Sequence, residues 1–379
     1  MPTHVASTIY LHIGTQKTGT TTLHAVGRDN RTALAARGIL YPAAPGPLNH
    51  VGLTLFATGS IGNRELMRDA DLRTPEDLTA YQAALPDRLR AEIAASGCPA
   101  VWLSNEHLSS RVRRPGQVAR LADMLRALAP DVRVVAYLRH QPEYYLSTYS
   151  MMLKAGGSKE TPPPESDREF YYNYEKMLNL WADAFGDKAI VVRVFERAAM
   201  TNGDVVDDFL GLMGIARGDD LIVTPSLNPS LDARALQFLR LFRQHVPRYV
   251  DGASNPDHGD VAKALEAIST GPKFRVPAAT MTRIAAMFAA SNARVARRFL
   301  GREDGCLFAE TTYRDDGDLP SLDVEQAVEI AAQLWCYKQR QIAEAIAQWR
   351  ARPARRRGRR GDKEGQGALP PGPKLRTSP

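Results

Sequence analysis

The sequence predicts an α/β fold with a central parallel sheet flanked by helices and a mostly helical C-terminal half. Four short apolar runs alternate with stretches whose apolar residues recur every three or four positions, the pattern of a parallel sheet built from strand–helix units. The first run leads directly into a glycine-containing polar turn, and beyond Phe195 the spacing is mostly helical.

The first strand is expected over Thr8 to Ile13, followed by GTQKTGTTT and a helical stretch ending near Gly38. Val101 to Leu103 is the second strand and is followed by Ser104, Asn105, Glu106 and His107. Val132 to Leu138 is the third, continuous enough to be buried on both faces, and Ile190 to Val194 is the fourth. Val118, Leu121, Leu125 and Leu128 mark a helix before the third strand, and Leu178, Trp181 and Phe185 mark one before the fourth. In the C-terminal half two stripes read as core faces. One runs through Leu231, Ala235, Phe238, Leu239, Phe242 and Val246, the other through Val324, Val328, Ala331, Trp335, Ile342, Ile346 and Trp349. Gly252 to Pro277 reads as loops around a short helix, and Lys154 to Ser166 as a flexible insertion able to line a cleft.

With 379 residues, 44% hydrophobic and 24% charged, the chain has enough apolar side chain for a core and is neither mainly disordered nor fibrous. One large domain over residues 1–349 and a basic disordered tail over 350–379 are expected. Ten Arg and Lys against Asp362 and Glu364 leave the tail at +8 of the net +7, so the rest of the chain carries −1. The tail reads as solubilising, with a polyanion tether as the other reading and no specific nucleic acid as partner. Cys98, Cys306 and Cys336 are odd in number and widely spaced, against a disulfide framework or zinc cluster, so a cytoplasmic setting is expected. No apolar run approaches the ~18 residues of a membrane span.

Parallel sheets bind ligands beyond the carboxyl ends of their strands, so the polar clusters that follow the strands are the candidate site. Gly14 to Thr22 forms a turn between strand and helix, where exposed backbone N–H groups and the helix dipole favour an anion. Thr18, Thr20, Thr21 and Thr22 add hydroxyls and Lys17 a mobile charge. A Walker A loop places Lys after its second glycine, whereas Lys17 precedes Gly19, which weakens a nucleotide triphosphate reading.

HIGTQKTGTTTL at residues 12–23 resembles the 5′-phosphosulfate loop of sulfotransferases that use 3′-phosphoadenosine 5′-phosphosulfate (PAPS). In that family an Arg at the end of a later strand and a Ser eight residues on hold the donor's 3′-phosphate. Arg139 and Ser147 in LRHQPEYYLSTY have that spacing, with Tyr149 two residues later. Many members have Asp-Pro after this Arg; here His140 and Gln141 precede Pro142. The resemblance covers roughly residues 8–215, continues weakly to about residue 310 through LNPSLDARAL and NARVARRFLGREDG, and is greatest to the carbohydrate-directed and bacterial branches.

The resemblance implies a P-loop-type three-layer fold and a PAPS-dependent sulfotransferase releasing adenosine 3′,5′-bisphosphate (PAP), without a metal. It assigns donor binding to Thr15, Gln16, Lys17, Thr18, Gly19, Thr20, Thr21, Thr22, Arg139 and Ser147. Glu106, favoured over His107, is the expected catalytic base, with Lys17 neutralising charge on the leaving phosphate. Either side chain of that pair would otherwise only cap the helix that follows. The acceptor is expected to be a carbohydrate or other small molecule. His12, His24 and His140 receive no role. The family's C-terminal Arg-Lys-Gly or Ser-Lys-Gly segment has no clear counterpart, with Arg234, Arg294, Arg297 and Arg302 as candidate substitutes. A P-loop nucleotide kinase and a non-catalytic nucleotide or polyanion binder are the rival classes.

Overall fold

The computed structural model describes residues 4–59, 64–158, 163–224, 231–250, 253–313 and 322–351. Five strands, β1 (Thr8–Gly14), β2 (Ile39–Leu40), β3 (Ala100–Ser104), β4 (Asp131–Leu138) and β5 (Ile190–Val194), form one sheet in the order β2-β3-β1-β4-β5. Every pairing is parallel. The four predicted strands are present with ends shifted by at most one residue, and the two-residue β2 was not foreseen.

Helices cover both faces. The N-terminal half supplies α1 (Thr20–Asp29), α2 (Arg31–Ala35), α3 (Val51–Thr58), α4 (Arg64–Asp69), α5 (Pro75–Ser96), α6 (His107–Arg111) and α7 (Pro115–Arg126). Next come α8 (Gln141–Ala155), α9 (Tyr174–Phe185), α10 (Val205–Leu212) and α11 (Ala233–His245). A short hairpin, β6 (Tyr249–Val250) with β7 (Ala253–Ser254), precedes α12 (Val261–Ile268), α13 (Ala278–Leu300) and α14 (Val324–Ala351).

Strand side chains alternate between the two helical layers, as a period of two requires. Val132, Val134, Ala136 and Leu138 of β4 pack with Leu53, Leu89, Leu121 and Trp181 on one face. Val135 and Tyr137 pack with Leu23, Leu34 and Phe209 on the other. A third, helical cluster joins Leu153, Leu239, Leu265, Phe274 and Ile330.

Two sequence expectations change. The helical stretch toward Gly38 is broken at Asn30, whose Nδ2 donates to the Val26 and Ile222 carbonyls while its Oδ1 accepts from Ile222 N. An Asn that bonds locally to backbone competes with helix continuation. The stripe on α14 is not core: Val324, Val328, Trp335, Ile342, Ile346 and Trp349 are all exposed, Trp335 by 67%. α14 packs through Ile330 and Leu334, a different face. It continues through Ala351, and the rest of the predicted tail, 352–379, lies outside the described residues.

Three histidines are buried beneath the carboxyl edge of the sheet. His50 Nδ1 accepts from Ser104 N at 2.9 Å, its Nε2 donates to Pro42 O at 2.8 Å, and its own N–H donates to Ser104 O at 3.1 Å. His12 Nδ1 meets Ser104 Oγ at 2.8 Å. Burial holds His12 and His50 down to about 3 and His24 to about 4. Above pH 6.5 these rings are neutral in folded and unfolded chains alike. Between about 6.5 and 4 only the unfolded chain binds the protons, so each histidine removes up to about 1.4 kcal/mol of stability per pH unit. Urea unfolding followed from neutral pH to about pH 5 should show this loss with an uptake approaching three protons; a midpoint indifferent to pH across that range would contradict it.

Candidate active site

The loop after β1 begins at an irregularity in the pairing. The register passes from His12↔Val135 to Gly14↔Ala136, and Gly14 adopts φ 102°, in the left-handed region that glycine tolerates. Thr15 then fastens the loop to β4, its N–H and its Oγ1 both donating to Tyr137 O at 2.9 Å. Thr18 Oγ1 donates to Thr15 O at 2.6 Å, closing the turn. Both hydroxyls are buried and hold the shape of the loop. Gly19, with φ 79°, is the N-cap of α1, so Thr20, Thr21 and Thr22 occupy the first turn, where N–H groups have no intrahelical partner.

A cleft of about 690 Å³ opens at this edge. It is lined by Gln16, Lys17, Gly19 and Thr20 to Thr22 from the loop and α1, by Glu106 and His107 after β3, and by Arg139, Glu143 and Ser147 after β4. All three polar clusters picked from the sequence therefore send residues into one space, with Thr15, Thr18, Ser104 and Asn105 buried beneath it.

Arg139 is positioned from several sides. Its Nη1 donates to Lys17 O at 3.2 Å, its Nε lies 3.7 Å from Glu143 Oε2, and its guanidinium stands 5.9 Å from the centre of the Phe195 ring. Tyr174 Oη donates to its carbonyl. Arg139 Nε is buried without a hydrogen bond. Gln141 exchanges two hydrogen bonds with Asn292, at 2.8 and 3.0 Å, tying α8 to α13. Burial, then the nearby charges of Lys154 and Arg139, lower the Lys17 ammonium from its ordinary value.

Glu106 stands at the N-cap position of α6, yet its side chain makes no capping bond. Asn105 takes that part, its Oδ1 accepting from His107 N at 3.1 Å and Thr54 Oγ1 at 2.8 Å. Glu106 Oε2 accepts no hydrogen bond and lies 3.7 Å from His24 Nε2 on α1. His24, assigned no role from the sequence, is thus the neighbour of the candidate base. His140 is spaced from the cleft by stacking with Phe308 at 5.0 Å and by a contact of its Nδ1 with Tyr313 Oη at 3.2 Å.

Lys154, the first residue of the insertion expected to line a cleft, does line it from the end of α8, and sequence reasoning missed the wall beside it from the C-terminal half: Glu266, Lys273, Phe274, Leu231 and Leu236. Lys154 Nζ pairs with Glu266 Oε1 at 2.5 Å, and Phe274 stacks on Tyr149 at 4.5 Å. Lys154 is helical, seven residues past Ser147 on α8, two turns along the same face. Nothing local marks Lys273. None of Arg234, Arg294, Arg297 and Arg302 lines the cleft; Arg294 is paired with Glu175 at 2.6 Å, and Arg302 donates to the carbonyls of Cys306 and Leu307. Among the described residues no group of three His, Cys, Asp or Glu is placed to hold a metal ion, and no helix is long and apolar enough to cross a membrane.

No family model matches the chain. A protein of Archaeoglobus fulgidus described as uncharacterized is 25% identical over 209 residues, 52% of this chain and 55% of the archaeal one. The chain thus spans about half the length of that relative. Among solved structures, a sulfotransferase from Alicyclobacillus acidocaldarius matches with a TM-score of 0.36 and 19% identity over 63% of this chain and 95% of that one. Neither likeness transfers an activity.

Gly19 offers a direct test of the loop. A Cβ there would meet Val205 Cγ1 at 2.8 Å and would force an L side chain to φ 79°. Gly19→Ala should lower stability by about 1–3 kcal/mol and weaken anion binding in the cleft. Denaturation and a phosphate titration would check both; a variant as stable as the parent would show that the turn adapts.

Proposed function

We propose that the chain is a PAPS-dependent sulfotransferase that moves a sulfuryl group to a hydroxyl or amine of a small-molecule or carbohydrate acceptor. The observation that carries the proposal is the meeting of loop 16–22, Arg139 with Ser147, and Glu106 in one cleft at the carboxyl edge of a parallel sheet. Four cations, Lys17, Arg139, Lys154 and Lys273, line it against three carboxylates, Glu106, Glu143 and Glu266. Such a site suits a ligand with several negative charges. The buried Arg139 Nε without a hydrogen bond fits a phosphate oxygen, which a guanidinium can fork onto.

In this reading the first turn of α1 and the hydroxyls of Thr20, Thr21 and Thr22 hold the donor's 5′-phosphate, and Arg139 with Ser147 its 3′-phosphate. The donor supplies an activated sulfuryl group and leaves as PAP. Glu106 accepts the proton of the acceptor. Lys17 neutralises charge gathering on the leaving phosphate; burial first and then its cationic neighbours lower its pKa, and a bound polyanion would offset both. Neutral His24 beside Glu106 leaves the carboxylate to receive the proton. The wall of Lys154, Leu231, Leu236 and Phe274 faces the same space and would shape ligand selection.

Glu106→Gln should lower turnover about 10²–10⁴-fold while leaving PAP binding nearly intact. Turnover close to the parent value would place the base elsewhere. Arg139→Ala should weaken PAP far more than AMP, since only PAP carries the 3′-phosphate, and equal losses would remove that assignment. Magnesium-dependent ATP consumption without PAPS would favour the kinase class instead.

A further inference from the structure

The long C-terminal helix carries two distinct faces. Ile330 is buried and Leu334 half-buried where α14 packs on α11 and α12. Val324, Val328, Trp335, Ile342, Ile346 and Trp349 remain exposed, by 45–81%. At about 100° per residue these six fall within about 40° of a single line along the helix, and Ile330 and Leu334 lie roughly a quarter to a third of a turn away. The stripe therefore cannot turn inward while the packed face is in place. Residues 341–350 are exposed throughout.

The charges are arranged to match. Glu325, Glu329 and Glu344 lie about 90° or more from the stripe by the same geometry, whereas Lys338 falls on it, where its apolar stem can lie along the stripe with its ammonium at the edge. The sequence from Arg350 to Arg360 then holds seven arginines and no acidic residue. A second copy of the chain would cover the stripe but would gain nothing from the arginines. A nucleic acid or other polyanion would engage the arginines but leave the Trp and Ile side chains in water. A lipid surface with anionic headgroups uses both, because an amphipathic helix buries its apolar face at the headgroup boundary while adjacent basic residues are attracted to the surface charge.

We propose that α14 and the arginine run dock this protein on an anionic lipid surface, with the stripe from Trp335 to Trp349 at the headgroup–acyl boundary. The proposal is independent of the sulfotransferase assignment. Two of the four tryptophans, Trp335 and Trp349, are exposed on α14, while Trp102 and Trp181 are fully buried in the core, so a change in emission on binding reports α14.

The full chain should cosediment with phosphatidylcholine vesicles containing phosphatidylglycerol, with a blue shift of tryptophan emission, and far less with phosphatidylcholine alone. The double substitution Ile342→Glu and Ile346→Glu should reduce partitioning at least tenfold while leaving the thermal midpoint unchanged, since both side chains are exposed. Replacing Arg355, Arg356 and Arg357 by Gln should reduce it about 10²-fold, at ~1 kcal/mol per arginine near the surface. No partitioning into the anionic vesicles would overturn the proposal. So would partitioning indifferent to the Ile pair, which is polyanion behaviour, or a dimer by light scattering that the Ile pair abolishes without any vesicle binding.

Discussion

The two-sided pairing of β1 is the constraint on which the site depends. Thr8 aligns with Ala100 on one side and Asp131 on the other, so β3, β1 and β4 run level and deliver their ends to one edge. Because side chains alternate with period two, a slip of one residue would send Ile9, Leu11 and Ile13 into the opposite layer, out of the cluster that holds all three. The same slip would part the loop from its neighbours. Thr15 bonds to Tyr137 O, Asn105 N to His12 O, and Arg139 to Lys17 O, each contact crossing from one strand end to the next.

Beneath the edge, most polar groups are bonded to one another, although His12 Nε2 and Asn105 Nδ2 are buried without a hydrogen bond. Ser104 and Asn105 are matched to His12, His50 and Thr54, while Tyr137 and Arg193 converge on buried Asp208, whose Oδ1 also accepts from Thr201. A network of this kind is stiff, because opening it leaves buried donors and acceptors unpaired in a poorly polarisable interior. The charged side chains one layer above are paired less completely. Lys17 is cationic among cations, Arg139 Nε and Glu106 Oε2 make no hydrogen bond, and water-facing volume separates them. Rigid support below and electrostatic incompleteness above are what a preorganised anion site requires.

Much of this could be read from the residues, because the signals were local. A continuous run such as VRVVAYL suits a strand covered on both faces, as in a parallel sheet, and a polar cluster after such a strand falls at its carboxyl edge. What could not be read depended on distant contacts. Asn30 looks like one more position in a helical stretch until Ile222, nearly two hundred residues on, offers it both a donor and an acceptor. Lys273 reaches the cleft only because the segment before α13 folds over α8, and no local spacing encodes that. Between residues 41 and 99, α5 opens on a capping box, Thr74 with Asp77, a local signal that apolar spacing alone does not carry.

The helix α14 shows where hydrophobic periodicity stops being informative. A stripe at three- and four-residue spacing states that one face avoids water, and the nearest assumption is that the body of the protein covers it. Here the covering is done by a neighbouring face: Ile330 and Leu334 reach α11 and α12, and the more regular stripe is left outside. Two faces on one helix cannot both turn to a single body unless the body wraps it, and residues 341–350 extend with no buried position at all. The better-formed stripe thus marks the surface that needs something other than this domain, which reverses the usual inference from regularity to core.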